Sequence, residues 1–134
     1  MSTTQRTAPN AAGKAPWATD SGDIIWLNFT PYAGKEMAGM HPFLVLSNQL
    51  FNAKTGTVMG LAMTSKAHSQ AGSAGFNPFQ IANKTSKGEN YINVNQVSTF
   101  DWVARLAKPH PWGIVSKPVL QNTKDMLNAV LGLG

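Results

Sequence analysis

Residues 22–48, GDIIWLNFTPYAGKEMAGMHPFLVLSN, decide the fold of this chain. The stretch begins with a β-branched and aromatic segment and ends with a continuous apolar run, and each of these is typical of a β-strand. Between them lies a polar, glycine-rich loop that contains Lys35, Glu36 and His41. Because functional groups are most often carried by loops on a rigid β scaffold, this loop is the first candidate for a reactive site.

Short strands recur along the chain. Their β-branched, aromatic or continuous apolar content predicts strands at 23–29, 42–48, 57–64, 76–82 and 91–98. Side chains are predicted to alternate between two faces along 23–29 and along 91–98. Residues 48–54 predict one helical turn, and residues 83–90 predict a turn. Pro78 gives the fourth strand an edge position, because proline cannot donate to a neighbouring strand.

The C-terminal part predicts a connection followed by an amphipathic helix. Pro109, Pro111 and Gly113 punctuate the connection. Ser116 has the character of a helix N-cap, and Gly132 is suited to end the helix. The order of strands followed by one helix predicts a mainly β fold, a small antiparallel barrel of about five to seven strands with a C-terminal helix against it.

Length and composition bound the class of protein. The 134 residues predict a flexible arm at 1–20 and one domain at 21–134. The net charge of +5 favours an anionic partner such as nucleic acid, although a merely basic surface has the same composition. The absence of cysteine excludes disulfides and thiolate nucleophiles and suits a cytoplasmic protein. No apolar run approaches the roughly 20 residues that span a bilayer, so no membrane partner is expected.

Two segments resemble the MazF/PemK family of toxin endoribonucleases. Residues 22–48 match its Gly-Asp and Ile-Trp strand, its Pro-x-x-Gly-x-Glu-x-x-Gly loop and its Arg-Pro-x-Leu-Val-Leu-Ser strand, with His41 in place of the arginine. Residues 94–108, VNQVSTFDWVARLAK, resemble the Asp/Asn-Gln-Val-Arg-x-x-Asp-x-x-Ala-Arg block, with Ser98 in place of its first arginine. The resemblance extends from about residue 21 to the C-terminus.

The resemblance implies a fold, an activity and partners. The family fold is an SH3-like barrel with a terminal helix, which matches the predicted order of elements. Members form homodimers and cleave single-stranded RNA, mRNA included, at short sequence motifs without a metal or other cofactor, and so inhibit translation and growth. A cognate antitoxin neutralises them by laying a disordered, often acidic, segment over the RNA groove.

Metal-free RNA cleavage uses the 2′-hydroxyl of the substrate as nucleophile, so the enzyme must supply a base, an acid and groups that stabilise charge on the phosphoryl oxygens. His41 stands at the family's principal catalytic position and has an imidazole that can move protons. Thr64 ends a strand at the family's second catalytic position. Lys35 is a candidate for the missing positive charge, and Glu36 for loop positioning or for the base. Each of the four residues also has a purely structural interpretation.

A second group of residues is predicted to bind RNA. Asn95 lies where some members have a catalytic aspartate, and an amide cannot be a general base, so hydrogen bonding to RNA is its expected role. Tyr32 is the candidate for base stacking. The remaining RNA-binding candidates are Ser65, Lys66, Asn93 and Gln96. Because Asn93, Ser98 and His41 each stand where arginine occurs in the family, weaker phosphate binding is expected.

Several aromatic and titratable residues receive no catalytic role from the sequence. Trp26, Phe43 and Trp102 are predicted to be core or dimer contacts rather than stacking surfaces. His68 and His110 have no identifiable partner and are not assigned to the site.

Three alternatives remain open on the sequence alone. The replacement of arginine by His41 suggests a catalytically degraded member that binds antitoxin or RNA without cleaving it. A toxin of related fold that poisons a protein target such as DNA gyrase is disfavoured by the ribonuclease blocks. An SH3-like adaptor needs an aromatic groove for a proline-rich peptide, and no such cluster is visible.

Overall fold

Six strands and two helices make up the residues that the computed structural model describes, namely 18–29, 39–66, 77–86 and 88–132. In chain order they are β1 (Asp23–Asn28), β2 (Met40–Val45), α1 (Gln49–Thr55), β3 (Thr57–Thr64), β4 (Gln80–Thr85), β5 (Gly88–Asp101), β6 (Lys108–Ile114) and α2 (Lys117–Leu131). The strands form one antiparallel sheet in the order β4-β5-β3-β2-β1-β6, curled into a half-barrel. The predicted mainly β fold with a C-terminal helix is confirmed.

Alternation along β1 divides the apolar residues between two clusters. Ile25, Leu27 and Phe29 join a buried cluster with Phe43 and Trp102, both of which were predicted as core or dimer contacts and lie in the core. Successive strand residues point to opposite faces of a sheet. Ile24 therefore joins the second cluster, which residues of α2 help to cover.

Both helices begin and end with recognisable caps. Asn48 accepts a hydrogen bond from the Phe51 amide at 2.9 Å, and α1 ends at Gly56 in the left-handed conformation. Ser116 caps α2 by accepting from the Val119 amide, and Gly132 ends it with a positive φ of 67°. The predicted start and stop of the C-terminal helix are therefore confirmed.

The predicted boundaries of β4 were wrong. The strand starts at Gln80 rather than at residue 76, because residues 77–79 form a turn in which the Asn77 side chain accepts from the Phe79 amide at 2.9 Å. The turn predicted at 83–90 is a tight hairpin, and Asn83 pairs with Asn90 across it. Two buried asparagines joined at 2.8 Å keep this polar segment in strand conformation. β4 does lie at the sheet edge, as Pro78 predicted.

The connection predicted around Pro109, Pro111 and Gly113 is instead strand β6, which pairs with β1. Local turn signals were overridden by pairing with a neighbouring strand. β6 is the other edge strand of the sheet and has a neighbouring strand on one side only. Proline is tolerated there because its missing N–H group would face the side that has no neighbouring strand.

The first described residues, from Ala18 onwards, are packed on the domain. Ala18 lies against the first core cluster and Thr19 is fully buried. The Thr19 hydroxyl donates to Asp23 at 2.9 Å, which joins this segment to the start of β1. Within the described residues, neither helix is long and apolar enough to cross a membrane.

Candidate active site

A bulge in β5 changes which side chains of this strand are buried and which are exposed. β3 and β5 pair through Leu61 with Val97 and through Met63 with Ile92. An advance of two residues along β3 therefore corresponds to an advance of five residues along β5. The four residues between the two pairs, 93–96, are here called the β5 bulge. Bulges bend a strand and break the alternation of its faces. Accordingly residues 92–94 are all buried and 95–97 are all exposed, whereas strict alternation had been predicted.

A second bulge of the same size lies in β6. Here Asp23 pairs with Ile114 and Ile25 with Pro109, so that two steps along β1 correspond to five along β6. Residues 110–113 form the extra segment, the β6 bulge.

A cleft of about 990 Å³ lies between the two bulges. It collects seven of the predicted site residues, which are His41, Thr64, Ser65, Lys66, Asn93, Asn95 and Gln96. These residues come from β2, from the end of β3 and from β5, so the fold gathers positions up to 55 residues apart in the chain.

The β2–β3 pair brings His41 and Thr64 to the same cleft. β2 and β3 pair through Phe43 and Ala62. His41 precedes this paired segment on β2 and Thr64 follows it on β3, and both residues line the cleft. The His41 ring also contacts Phe29, with ring centroids 5.5 Å apart.

The Thr64 hydroxyl is already oriented by the chain that follows it. It accepts a hydrogen bond from the Lys66 amide at 3.1 Å. A hydroxyl carries one donor besides its acceptor lone pairs, so Thr64 keeps its own hydrogen for a further acceptor in the cleft.

Amide side chains form the wall on the β5 side. The Gln80 amide donates to Asn93 at 3.0 Å and to the Lys66 carbonyl at 3.2 Å, which fixes the chain at the cleft beside Asn93. Asn77 donates to Asn95 at 2.9 Å. Gln80 and Asn77 were missed by sequence reasoning. The signal that could have found them is the run of amide residues on either side of Pro78.

Three aromatic residues form the wall on the β6 side. The His110 ring lies between two indoles, with centroid distances of 4.2 Å to Trp26 and 4.4 Å to Trp112. All three line the cleft. Trp26 is half-buried at the cleft rather than in the core, and His110, which the sequence analysis left outside the site, also lines the cleft. The reason is the β6 bulge, which turns His110 and Trp112 towards the same space.

His110 is held as a neutral imidazole. Its Nδ1 accepts from the Trp112 amide at 3.0 Å, so the proton of the neutral ring is on Nε2. Burial lowers the pKa of His110 to about 4. The ring therefore contributes an aromatic face and one donor, but no charge at neutral pH.

Other predicted residues lie elsewhere or outside the described chain. Tyr32, Lys35 and Glu36, like His68, fall outside the described residues. Among the described residues that line the cleft, Lys66 is the sole lysine or arginine. Nor do the described residues contain a cluster of three or more histidine, aspartate or glutamate side chains that could hold a metal.

Arg105, from the second family block, has a structural position. Its guanidinium donates to the Asn28 carbonyl at 3.2 Å and lies 5.1 Å from the centre of the Phe100 ring. It supports the end of β1 and does not line the cleft.

Comparison with known proteins assigns the family. Residues 20–131 match the family described as PemK-like, MazF-like toxin of type II toxin–antitoxin system. The chain belongs to the PemK/MazF family. It is 32% identical over 116 residues to the endoribonuclease toxin MazF of Escherichia coli strain K12, and the match covers 87% of this chain and 96% of that protein.

Solved structures of the family agree with the fold. Crystal structures of MazF and of MazE–MazF from Deinococcus radiodurans match with TM-scores of 0.72 and 0.68 and with identities of 31% and 28%. Each match covers 87% of this chain and 98% of the other. The PemK/MazF resemblance carried by residues 22–48 and 94–108 is therefore confirmed.

Proposed function

We propose that this chain is the toxin of a type II toxin–antitoxin pair, a cytoplasmic homodimeric endoribonuclease that cleaves single-stranded RNA at short motifs and so arrests translation and growth. Family membership and the names of the relatives support this proposal. The Deinococcus MazE–MazF complexes support a cognate antitoxin as its protein partner.

The observation that carries the proposal is the content of the cleft. It combines an imidazole at His41, a hydroxyl at Thr64, an ammonium at Lys66 and the amides of β5 in one open space. A scissile phosphate needs a proton-transfer group and donors to its oxygens, and the neighbouring nucleotides need hydrogen-bonding side chains. The cleft supplies each of these groups.

In the proposed mechanism the 2′-hydroxyl attacks the adjacent phosphorus and the bond to the 5′-oxygen breaks. A base takes the proton of the 2′-hydroxyl and an acid gives a proton to the leaving 5′-oxygen, and His41 carries out one of these two transfers. The free hydrogen of the Thr64 hydroxyl and the Lys66 ammonium stabilise the charge on the phosphoryl oxygens. The products are a 2′,3′-cyclic phosphate and a 5′-hydroxyl end, and no metal takes part. Lys35 and Glu36 remain proposed contributors from the loop, and Ser65 and Tyr32 remain proposed RNA contacts.

The proposal is tested by incubating purified, antitoxin-free protein with long single-stranded RNA in EDTA and by analysing the new ends. We expect cleavage that leaves 2′,3′-cyclic phosphate and 5′-hydroxyl ends. If the folded protein cleaves none of a set of RNAs of varied sequence, the proposed endoribonuclease activity is refuted.

A matched pair of variants at Thr64 tests the role of its hydroxyl. Thr64→Val keeps the β-branched shape and removes the donor, so we expect cleavage to fall by about 100-fold, as for other single donors to a developing oxyanion. Thr64→Ser keeps the donor and is expected to stay within about 10-fold of the wild type. Equal activities in the two variants would remove Thr64 from the mechanism.

A catalytically degraded member that binds RNA or antitoxin is the second candidate function. The observation in its favour is that Lys66 is the only lysine or arginine among the described lining residues, with His41 where the family has arginine. This alternative predicts no cleavage by the wild type and strong cleavage by His41→Arg. Efficient cleavage by the native protein would exclude it.

A further inference from the structure

The β6 bulge has no role in the chemistry described above, yet it determines one wall of the cleft. Its extra residues include Pro111, which has no N–H group to pair, and Gly113, which has a positive φ of 79°. These residues let the strand leave the β1 ladder between Pro109 and Ile114 and return to it. The result is that His110 and Trp112 face the cleft from a strand edge.

Three tilted rings, those of Trp26, His110 and Trp112, form what is here called the aromatic wall. His110 makes interplanar angles of 40° with Trp26 and 47° with Trp112. His110 is 7% exposed and fills the space between the two indoles, each of which is half-buried. The hydrogen bond from the Trp112 amide to His110 fixes the ring within the bulge. Two half-buried indoles therefore lie beside the site, supported by an uncharged ring between them.

The opposite wall has complementary chemistry. Asn95 and Gln96 are exposed on the β5 bulge, and Asn77 is joined to Asn95. Side-chain amides offer donors and acceptors that suit the edge of a nucleobase, whereas an indole suits its face. A phosphate would instead need cations, and the aromatic wall has none.

We propose that the aromatic wall is a base-binding subsite, in which Trp112 stacks on one unpaired nucleobase of the RNA while the amides of the β5 bulge contact the edge of that base. This inference rests on the proposed RNA-cleaving function and assigns the selection of a base near the cut to residues 110–113. The base lies in the same cleft as His41 and Thr64. Stacking at this point therefore fixes which phosphate meets the reacting groups.

The test combines variants of Trp112 with abasic substitutions in the RNA. A short 2′-O-methyl RNA, which cannot be cleaved, is first selected from a randomised pool for binding to the wild type. Each of its bases is then removed in turn, and binding is measured for the wild type, Trp112→Ala and Trp112→Phe.

We expect one position at which base removal weakens wild-type binding by about 10-fold or more, the loss typical of a stacked base. Trp112→Ala should bind the intact RNA correspondingly more weakly and should be insensitive to base removal at that position alone. Trp112→Phe keeps an aromatic face and should restore most of the affinity. In cleavage assays, Trp112→Ala should relax the preference for one base near the cut.

Four results would overturn the inference. Trp112→Ala with wild-type affinity would exclude stacking on Trp112 while leaving the proposed endoribonuclease intact. Trp112→Ala that remains equally sensitive to every base removal, or that loses the homodimer, would assign Trp112 to folding or to the dimer interface. A wild type that binds no RNA would overturn both proposals, whereas one that binds without cleaving would overturn only the proposed function.

Discussion

Asn52 shows how one buried polar residue holds the start of the domain. Its side chain is fully buried, donates to the carbonyls of Thr19 at 2.8 Å and Ser47 at 3.1 Å, and accepts from the Ser47 hydroxyl. Asn52→Ala leaves these groups unsatisfied and should lower the free energy of unfolding by about 2–3 kcal/mol. Gln49→Ala removes an exposed bond to Ala18 and should cost less than about 1 kcal/mol. If urea denaturation shows that Asn52→Ala and Gln49→Ala lose the same free energy of unfolding, the buried hydrogen bonds of Asn52 do not have this role.

His110 makes the stability depend on pH. Its pKa is about 4 in the folded protein against an ordinary value of 6.5, so the unfolded chain binds more protons between these values. The stabilisation is complete above pH 6.5 and is lost as the pH falls towards 4. Because the cleft is open to water, we expect the loss to be about 1 kcal/mol rather than the full value of the shift.

The comparison that isolates this effect is His110→Phe, which keeps an aromatic ring between the two indoles and cannot titrate. Thermal unfolding should show a smaller decrease in stability for the variant than for the wild type on going from neutral to acid pH. If the stability of the wild type and that of His110→Phe decrease equally between neutral and acid pH, groups other than His110 control the acid sensitivity.

Some individual residues were predictable because their signals are local. Ser116 and Gly132 define the ends of α2 through contacts within one helical turn, and Thr64 was identified by its motif position. His110 was not predictable, because its surroundings depend on Trp26, which lies more than eighty residues earlier in the chain. Desolvation and ring contacts of this kind arise only when distant strands pair.

At the scale of elements, the β2–β3 pair depends on Gly60. A Cβ atom at this position would lie 1.9 Å from the Leu44 carbonyl oxygen and 2.7 Å from the Phe43 ring. Gly60→Ala must therefore push β2 away from β3, and we expect the free energy of unfolding to fall by about 3 kcal/mol or more. Because the same two strands carry His41 and Thr64 to the cleft, cleavage should fall as well.

Met59→Ala is the matched control, since Met59 precedes Gly60 on β3 and is exposed. Its stability should change by about 0.5 kcal/mol or less in the same denaturation experiment. A Gly60→Ala protein as stable as the control would show that the two strands tolerate a wider separation.

The elements that the sequence missed are those governed by pairing. β3 matches its predicted range because its apolar residues form one short continuous segment, and α2 is marked by its caps. β6 contains Pro109, Pro111 and Gly113, which signal a connection in any local reading. β6 is a strand because β1 supplies its hydrogen-bond partners. The residues near β6 in the sequence do not reveal this pairing.

At the scale of the whole molecule, the net charge of +5 is less informative than the position of each charge. Lys66 lies in the cleft, whereas Lys124 lies on α2 outside it. Each phosphate that an ammonium neutralises on a single strand changes the slope of log Kobs against log salt by about 0.7. Lys66→Ala should therefore make the slope for a non-cleavable RNA shallower by about 0.7.

Lys124→Ala changes the net charge equally and should leave that slope unaltered. Equal changes in the two variants would show that RNA responds to the overall charge rather than to a phosphate contact at Lys66.

The catalytic role of His41 is tested by RNA cleavage in EDTA by the wild type and by His41→Ala, each shown by circular dichroism and thermal unfolding to be folded. Loss of a positioned proton-transfer group costs about 100- to 10,000-fold in rate. We therefore expect the cleavage rate of His41→Ala to fall by a factor in this range while its stability stays unchanged. The wild-type products should carry 2′,3′-cyclic phosphate ends. Cleavage by His41→Ala at the wild-type rate would contradict this role of His41.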